Sequence, residues 1–380
     1  MELQKKYKVG IDCRLLGKKH AGIGRYIENL LLEIPHSSLH QQFQWVFVFH
    51  NQTQWQDFLA ECDDAAFFKA QQVLFAPIQH YTLYEQLSMP AIFSQLDLDL
   101  LHVPHFNIPV RYKGKLVVTI HDLLWHEYRG TQVTTLPAWQ YWVKHEFYKK
   151  IVAEAVKRAS VVFVPADTVK STVTRYFPTA EEKIRVTKEG IGKAFVETKL
   201  IHFKKNDALV YVGSLYPHKN IDVVLEALTQ LPEFSLDLVG SRNIFQENVE
   251  QKVHTLGLEN RVKFHGYLKD TELIDLFQKS FALVQPSLFE GFGLTGVEAM
   301  SVGLPVIASD IPVFREIYQD RASFFDPNSS DSFVMVIKEL QQDPTLYQTL
   351  EHHSKVVQAE FSWQKMTEQV LQSYLHVCLA

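Results

Sequence analysis

The sequence predicts an α/β protein made of two doubly wound parallel-sheet domains. Three observations predict it. Short apolar runs alternate with longer amphipathic segments, and this rhythm fades near residue 190 and restarts after residue 207. At 380 residues the chain is also too long for one ordinary core and fits two of roughly 150–200 residues each. Strand–helix alternation implies parallel strands joined by crossover helices, with helices on both faces of each sheet.

In the first half, Val9–Asp12, Trp45–Phe49, Val73–Phe75, Leu98–His102, Leu116–Ile120 and Val161–Val164 read as buried strands. Helical patterns run over Ile23–Ile34 and Ala138–Arg158. In the second half, strands are expected at Ala208–Val212, Leu236–Val239, Val262–Phe264, Ala282–Gln285, Pro305–Ala308 and Ala322–Phe325. Helices fit between them at Ile221–Leu231, Gln246–Leu256, Thr271–Lys279 and Gly296–Val302. The expected division is a first domain over 1–189, a linker over 190–207, a second domain over 208–361 and a terminal amphipathic segment over 362–380.

Composition narrows the function classes. Apolar residues make up 46% and charged residues 21%, which is ordinary for a globular protein. A net charge of −5 gives no reason to expect nucleic acid. Cys13, Cys62 and Cys378 stand far apart and form no metal or disulfide pattern. No run behind the N-terminal lysines suits a signal peptide, and none approaches the ~20 apolar residues of a membrane span. The expectation is a cytoplasmic protein that could still rest on the inner face of the plasma membrane.

In doubly wound sheets, ligands bind where strands end and helices begin, and four segments stand there. Ala21-Gly22-Ile-Gly24-Arg25 offers close backbone approach and a helix N-terminus that suits an anion, or a simple turn and cap. Ile27 occupies the place of a third dinucleotide-fingerprint glycine, which disfavours a dinucleotide. Thr119-Ile-His121-Asp122 ends an apolar strand, so His121 either faces a cleft or bonds within its loop. Gly213-Ser214-Leu-Tyr-Pro-His218-Lys219-Asn220 places Lys219 beside a helix start, where an ammonium neutralises phosphate or is simply solvated. The fourth is Glu290-Gly291-Phe292-Gly293-Leu294-Thr-Gly-Val-Glu298. It combines loop N–H groups for phosphate with two carboxylates for sugar hydroxyls; if mostly helical, its eight-residue spacing puts both carboxylates on one side. Asp97-Leu-Asp99 has the look of a metal site but starts an apolar strand. Pro104 between His102 and His105 breaks the spacing of a metal pair.

In this order the segments resemble glycosyltransferase family 4, retaining enzymes of the GT-B fold. The resemblance also takes in Asp99–Pro109, Thr119–Leu123, Gln285–Leu294, Glu298-Ala-Met and Gly303–Ser309. A Gly-Ile-Gly-Arg-Tyr start is similar to mannosyltransferases of polysaccharide and O-antigen assembly. The resemblance implies two such domains facing across a cleft, with a terminal helix crossing back to the first. It implies a nucleoside-diphosphate sugar as donor, a glycan or lipid-linked acceptor, and no cofactor or metal.

It also implies roles. Glu298 would hold the donor ribose and Glu290 the donor sugar. The N–H groups of Phe292 and Gly293, Lys219 and the Gly22–Gly24 loop would surround the diphosphate, with Gly213, Ser214, Gly291 and Leu294 also binding the donor, and His121 would touch the transferred sugar. Where the family often carries a second basic residue, this chain has Ser214 and His218, which leaves most of the charge to Lys219, with His218 contributing when protonated. A nucleotide-sugar epimerase, a glycogen-type synthase and a non-catalytic assembly subunit are the alternatives. The helix at Tyr141–Arg158 carries Lys144, His145, Lys149, Lys150, Lys157 and Arg158, with Trp139, Tyr141 and Trp142 near its start. It either docks on anionic lipid or is a solvated helix with a buried aromatic end.

Overall fold

Runs of β-branched and aromatic residues build two all-parallel sheets in a computed structural model that describes residues 6–17, 21–128, 130, 138–198, 206–240 and 245–380. The first sheet holds β1 (Tyr7–Asp12), β2 (Phe43–Phe49), β3 (Gln72–Phe75), β4 (Leu100–Val103), β5 (Leu116–Thr119), β6 (Val161–Val164) and β7 (Ile184–Val186), in the order β3-β2-β1-β4-β5-β6-β7. The second holds β8 (Ala208–Val212), β9 (Ser235–Val239), β10 (Val262–Gly266), β11 (Ala282–Gln285), β12 (Val306–Ser309) and β13 (Ser323–Phe325), in the order β10-β9-β8-β11-β12-β13.

All four residues of β4, β5, β6, β11 and β12 are buried, as expected for central strands covered by helices on both faces. Strand order reverses between β1 and β4 in the first sheet and between β8 and β11 in the second. These are the points where diverging loops open a crevice beyond the strand ends. The edge strand β7 has no expected counterpart in the sequence. It is only three residues long, and Arg185 at its centre interrupts the apolar run.

The chain divides into two compact units. The first takes in the chain up to Leu123, residues 138–190 and the last helix, Trp363–Leu379. That helix buries Trp363, Met366, Val370, Leu371, Tyr374 and Val377, a 3.6-residue stripe. The stripe packs on β4, on β6 and on the helix Ala21–Glu33, which buries Tyr26, Ile27, Leu30 and Leu31.

The second unit runs from Ile191 to Ser362 and also takes in Leu124–Tyr128. The latter stretch falls inside the expected first domain but is anchored elsewhere. The Tyr128 hydroxyl donates to the Leu288 carbonyl at 3.2 Å, and its ring meets Phe289 at 5.8 Å. Part of the expected linker, 199–205, lies outside the described residues. Its start is packed chain, with Phe195 fully buried against Phe277. The core of this unit gathers Ile221, Val224, Leu225 and Leu228 of the helix Ile221–Leu228 with Leu209, Leu236 and Val284 of the sheet. Among the described residues, no helix is long and apolar enough to cross a membrane.

Candidate active site

Two loops leave the switch point of the second sheet side by side. The first follows β8 and carries Gly213, Ser214, His218 and Lys219. Its start is pinned by the Gly213 N–H on the Val239 carbonyl at 2.9 Å and the Tyr211 hydroxyl on the Ser214 carbonyl at 2.5 Å. A single 3-10 turn, Pro217–Lys219, presents the lysine. Asn220 then takes a left-handed conformation (φ 56°), bonds Pro327 through its side chain at 2.8 Å, and starts the helix Ile221–Leu228. His218 is buried, its ring beside Tyr216.

The second loop follows β11 and meets the first directly. The Lys219 ammonium donates to Glu290 Oε1 at 2.6 Å, and the Ser287 hydroxyl donates to the same oxygen at 3.0 Å. The Leu288 N–H closes on the His218 carbonyl at 2.8 Å. Lys219 and Glu290 each keep 19% of their side-chain surface exposed. The pair therefore holds both loops yet stays within reach of a ligand.

Gly293 caps the helix Leu294–Ser301 with φ 93°, a conformation that costs L-residues with side chains. Space is a second constraint: a Cβ at Gly293 or Gly296 would sit 2.2 or 2.4 Å from the Tyr318 hydroxyl oxygen. That phenol bonds the Gln285 side chain and donates to the Gly293 carbonyl at 2.6 Å. Burial, then the negative charge of Glu290, push its pKa well above the ordinary value, so it serves as a neutral donor. Tyr318 escaped the sequence reading because it lies outside every motif; the glycines that make room for it were the available signal. Phe292 is buried against Phe361, ring centres 5.8 Å apart, while Gly291 and Leu294 stay half-buried.

The expected helical spacing of the two glutamates needs correction. Glu290 lies in the loop, because left-handed Gly293 delays the helix to Leu294. Only Glu298 is helical, and it is 2% exposed. What joins the two is the turn around Gly293. Beside these loops, the ends of β8, β9 and β10 surround a small cavity lined by Gly213, Leu215, Leu238, Gly240, Phe264 and Gly266. Gly240 lies so close to the first loop that a Cβ there would be 2.2 Å from the Gly213 carbonyl oxygen.

In the first unit the glycine pair splits. A Cβ at Gly24 would collide with the Gly17 carbonyl oxygen at 2.4 Å, whereas Gly22 is exposed and a Cβ there would meet nothing within 4 Å among the described residues. Gly24 is therefore required by packing, and only Gly22 leaves open space for a ligand. His121 follows β5 with both ring nitrogens facing oxygens: Nε2 lies 3.2 Å from the Pro104 carbonyl and Nδ1 3.5 Å from Glu189 Oε1. Its ring meets the edge of Tyr26 at 4.9 Å.

The Asp99 carboxylate accepts the Lys8 N–H at 2.7 Å, tying the starts of β4 and β1 at the opposite end of the sheet from His121. Among the described residues no three His, Cys, Asp or Glu side chains converge as a metal-binding group. A buried polar cluster at the end of β1 went unread. Arg14 donates to Asp12 at 2.8 and 2.6 Å and to Glu85 at 2.9 Å, and Asn107 donates to Glu85 at 2.7 Å.

Comparison with known proteins identifies the family. The profile of Glycosyltransferase Family 4 matches residues 22–193, and that of Glycosyl transferases group 1 matches residues 193–357. The O-antigen chain mannosyltransferase RfbU of Salmonella typhimurium is 28% identical, over 70% of this chain and 72% of its own length. O-antigen chain mannosyltransferase B of Escherichia coli is 26% identical, over 72% and 74%. The fold matches that of Anabaena HepE, crystallised with UDP-glucose, with a TM-score of 0.73 and 19% identity over 97% of this chain and 99% of that one. The chain belongs to glycosyltransferase family 4 and is a hexosyltransferase built on the GT-B fold.

Proposed function

We propose that the enzyme transfers mannose, with retention, from a nucleoside-diphosphate donor to a growing glycan or lipid-linked acceptor. The observation that carries this reading is the meeting of Lys219, Ser287 and Glu290 at the second switch point, in the loop that leads into the helix carrying the buried Glu298. O-antigen mannosyltransferases among the relatives support the sugar, and the UDP-glucose complex of HepE supports the donor class.

In this reading Glu298 accepts hydrogen bonds from the ribose hydroxyls and Glu290 from the transferred sugar. Lys219 and the N–H groups of Gly291–Leu294 meet the diphosphate, with Gly213, Ser214 and His218 shaping its loop and Gly22 leaving room for it. His121 borders the sugar. The anomeric carbon–oxygen bond to the diphosphate breaks, a bond to the acceptor oxygen forms on the same face, and the acceptor proton passes to the leaving phosphate. Charge builds on that phosphate, so a preorganised ammonium and N–H dipoles lower the barrier without a divalent ion.

The acceptor is reached, in this reading, at the inner surface of the membrane. Trp139 (70% exposed), Trp142, Val143 and Phe147 form an exposed apolar stripe on the helix Ala138–Arg158, beside Lys144, Lys149 and Lys150. Of its aromatic start only Tyr141 is buried, which supports the lipid-facing reading over a solvated helix with a buried aromatic end. Exposed Leu83, Tyr84 and Leu87 add a second apolar face, on the helix Leu83–Gln95.

A thermal-shift screen of GDP-mannose, UDP-glucose and ADP-glucose, followed by nucleoside-diphosphate release with and without excess EDTA, tests the donor reading. A shift with GDP-mannose and EDTA-resistant turnover are expected. No shift with any donor, or turnover abolished by EDTA, would overturn it. Flotation with anionic and neutral liposomes tests the surface; binding that ignores lipid charge removes it.

A further inference from the structure

Four polar side chains form one buried line from the last helix to His121. Tyr374, on the helix Trp363–Leu379, is hydrogen-bonded to His102 Nδ1. His102 Nε2 lies 2.9 Å from the Thr119 hydroxyl, and that hydroxyl donates to the Tyr26 hydroxyl at 3.1 Å. All four are essentially inaccessible to solvent. Tyr26 then meets the His121 ring edge-on at 4.9 Å, and it also packs against Trp363 at 6.3 Å.

The directions of the bonds agree from end to end. Thr119 spends its single proton on Tyr26, so it accepts from His102 Nε2–H. A neutral imidazole then has Nδ1 as acceptor, which receives the Tyr374 proton. Burial, then the nearby His121, lower the His102 pKa to about 3, which keeps that ring in its neutral form. The strand end that holds His102 also supplies the Pro104 carbonyl facing His121 Nε2.

Filling this space does not need polar atoms. Phe, Leu and Val would pack a sheet against a helix without any hydrogen bond to satisfy. A buried polar line instead fixes one geometry, because each broken link strands a desolvated group. Here the fixed geometry ends at a histidine of the candidate site.

We propose that Tyr374, His102, Thr119 and Tyr26 are positioning residues that set the orientation of His121 for the transfer step. This rests on the reading of His121 given above. The last helix is then part of the catalytic apparatus through its hydroxyl, beyond closing the core.

The test compares Thr119→Val and Tyr374→Phe, each nearly isosteric, in the full chain. Release of nucleoside diphosphate from GDP-mannose or UDP-glucose, whichever gives the larger thermal shift, reads the rate. About a tenfold to hundredfold fall in kcat is expected from a misplaced group, with the donor KM unchanged. Neither substitution should reduce the rate further in a His121→Ala background. Wild-type kcat in both single variants would overturn the proposal, as would an equal proportional loss with and without His121. If Thr119→Val does not fold, Tyr374→Phe, which keeps the ring in place, carries the same comparison. A wild-type rate for His121→Ala alone would overturn the reading of His121 itself. A depressed His121→Ala rate with additive losses overturns only the positioning chain.

Discussion

The two units build the same kind of switch point and load it with opposite kinds of ion pair. At the end of β1, Arg14 and Glu85 pair with side chains 1% and 2% exposed. Burial alone would raise the pKa of Asp12, yet the Arg14 guanidinium more than offsets it and holds that carboxyl below the ordinary value. At the ends of β8 and β11, Lys219 and Glu290 pair at nearly the same distance but stay partly open to solvent. A desolvated pair resists exchange, since losing one partner strands a buried charge. A pair that still touches solvent can be traded for a ligand at lower cost than a fully desolvated one. One switch point is therefore suited to holding a shape and the other to receiving a charged substrate.

The largest effect that would break this contrast belongs to the buried pair. Arg14→Ala should destabilise the first unit by about 3–5 kcal/mol, read by denaturant unfolding. A loss below about 1 kcal/mol would place it in the same class as Lys219–Glu290. Lys219→Ala should act the other way round, lowering kcat/KM by about 2–4 kcal/mol while stability moves by less than about 1 kcal/mol. Kinetics equal to wild type would remove Lys219 from the transfer step. Glu298→Ala should weaken nucleoside-diphosphate binding by about 1–3 kcal/mol in calorimetry, the scale of a lost hydrogen bond to a charged group; unaltered affinity would contradict its ribose role.

A further effect, spread over several pH units, is in pH dependence. The folded pKa of His102, about 3, lies below its unfolded value of about 6.5. Between these values the unfolded chain binds a proton that the folded chain refuses. This stability is complete above about pH 6.5 and drains away as pH falls toward 3, by at most about 1.4 kcal/mol per pH unit. His102→Gln should flatten the acid limb by that slope, and an unchanged slope would assign the proton elsewhere.

How much of this was legible depended on the distance between partners. Val161-Val-Phe-Val164 announces a buried strand because every residue is apolar, and the loops after β8 and β11 show themselves by their glycines. Arg14 and Glu85 are 71 residues apart, and Tyr374 and His102 are 272 apart. Periodicity tells which face is buried and is silent about what that face will meet. The helical spacing read between Glu290 and Glu298 failed for a local reason: Gly293 interposes a left-handed turn, which an eight-residue count cannot detect. The sequence leaves Gly24 open between a ligand-facing and a turn-and-cap role, and its close neighbour is the backbone of Gly17.

The return of the last helix to the first unit also bears on synthesis. The chain must finish Ile191–Ser362, the bulk of the other unit, before Trp363–Leu379 can emerge. At ribosomal rates that delay is roughly ten to thirty seconds. Throughout it β4, β6 and the helix Ala21–Glu33 lack their cover, and His102 waits beside an unfilled seat for Tyr374. The first unit is begun before the second and completed after it, so the nascent chain depends on the second unit folding promptly and leaving that apolar face free for the helix Trp363–Leu379.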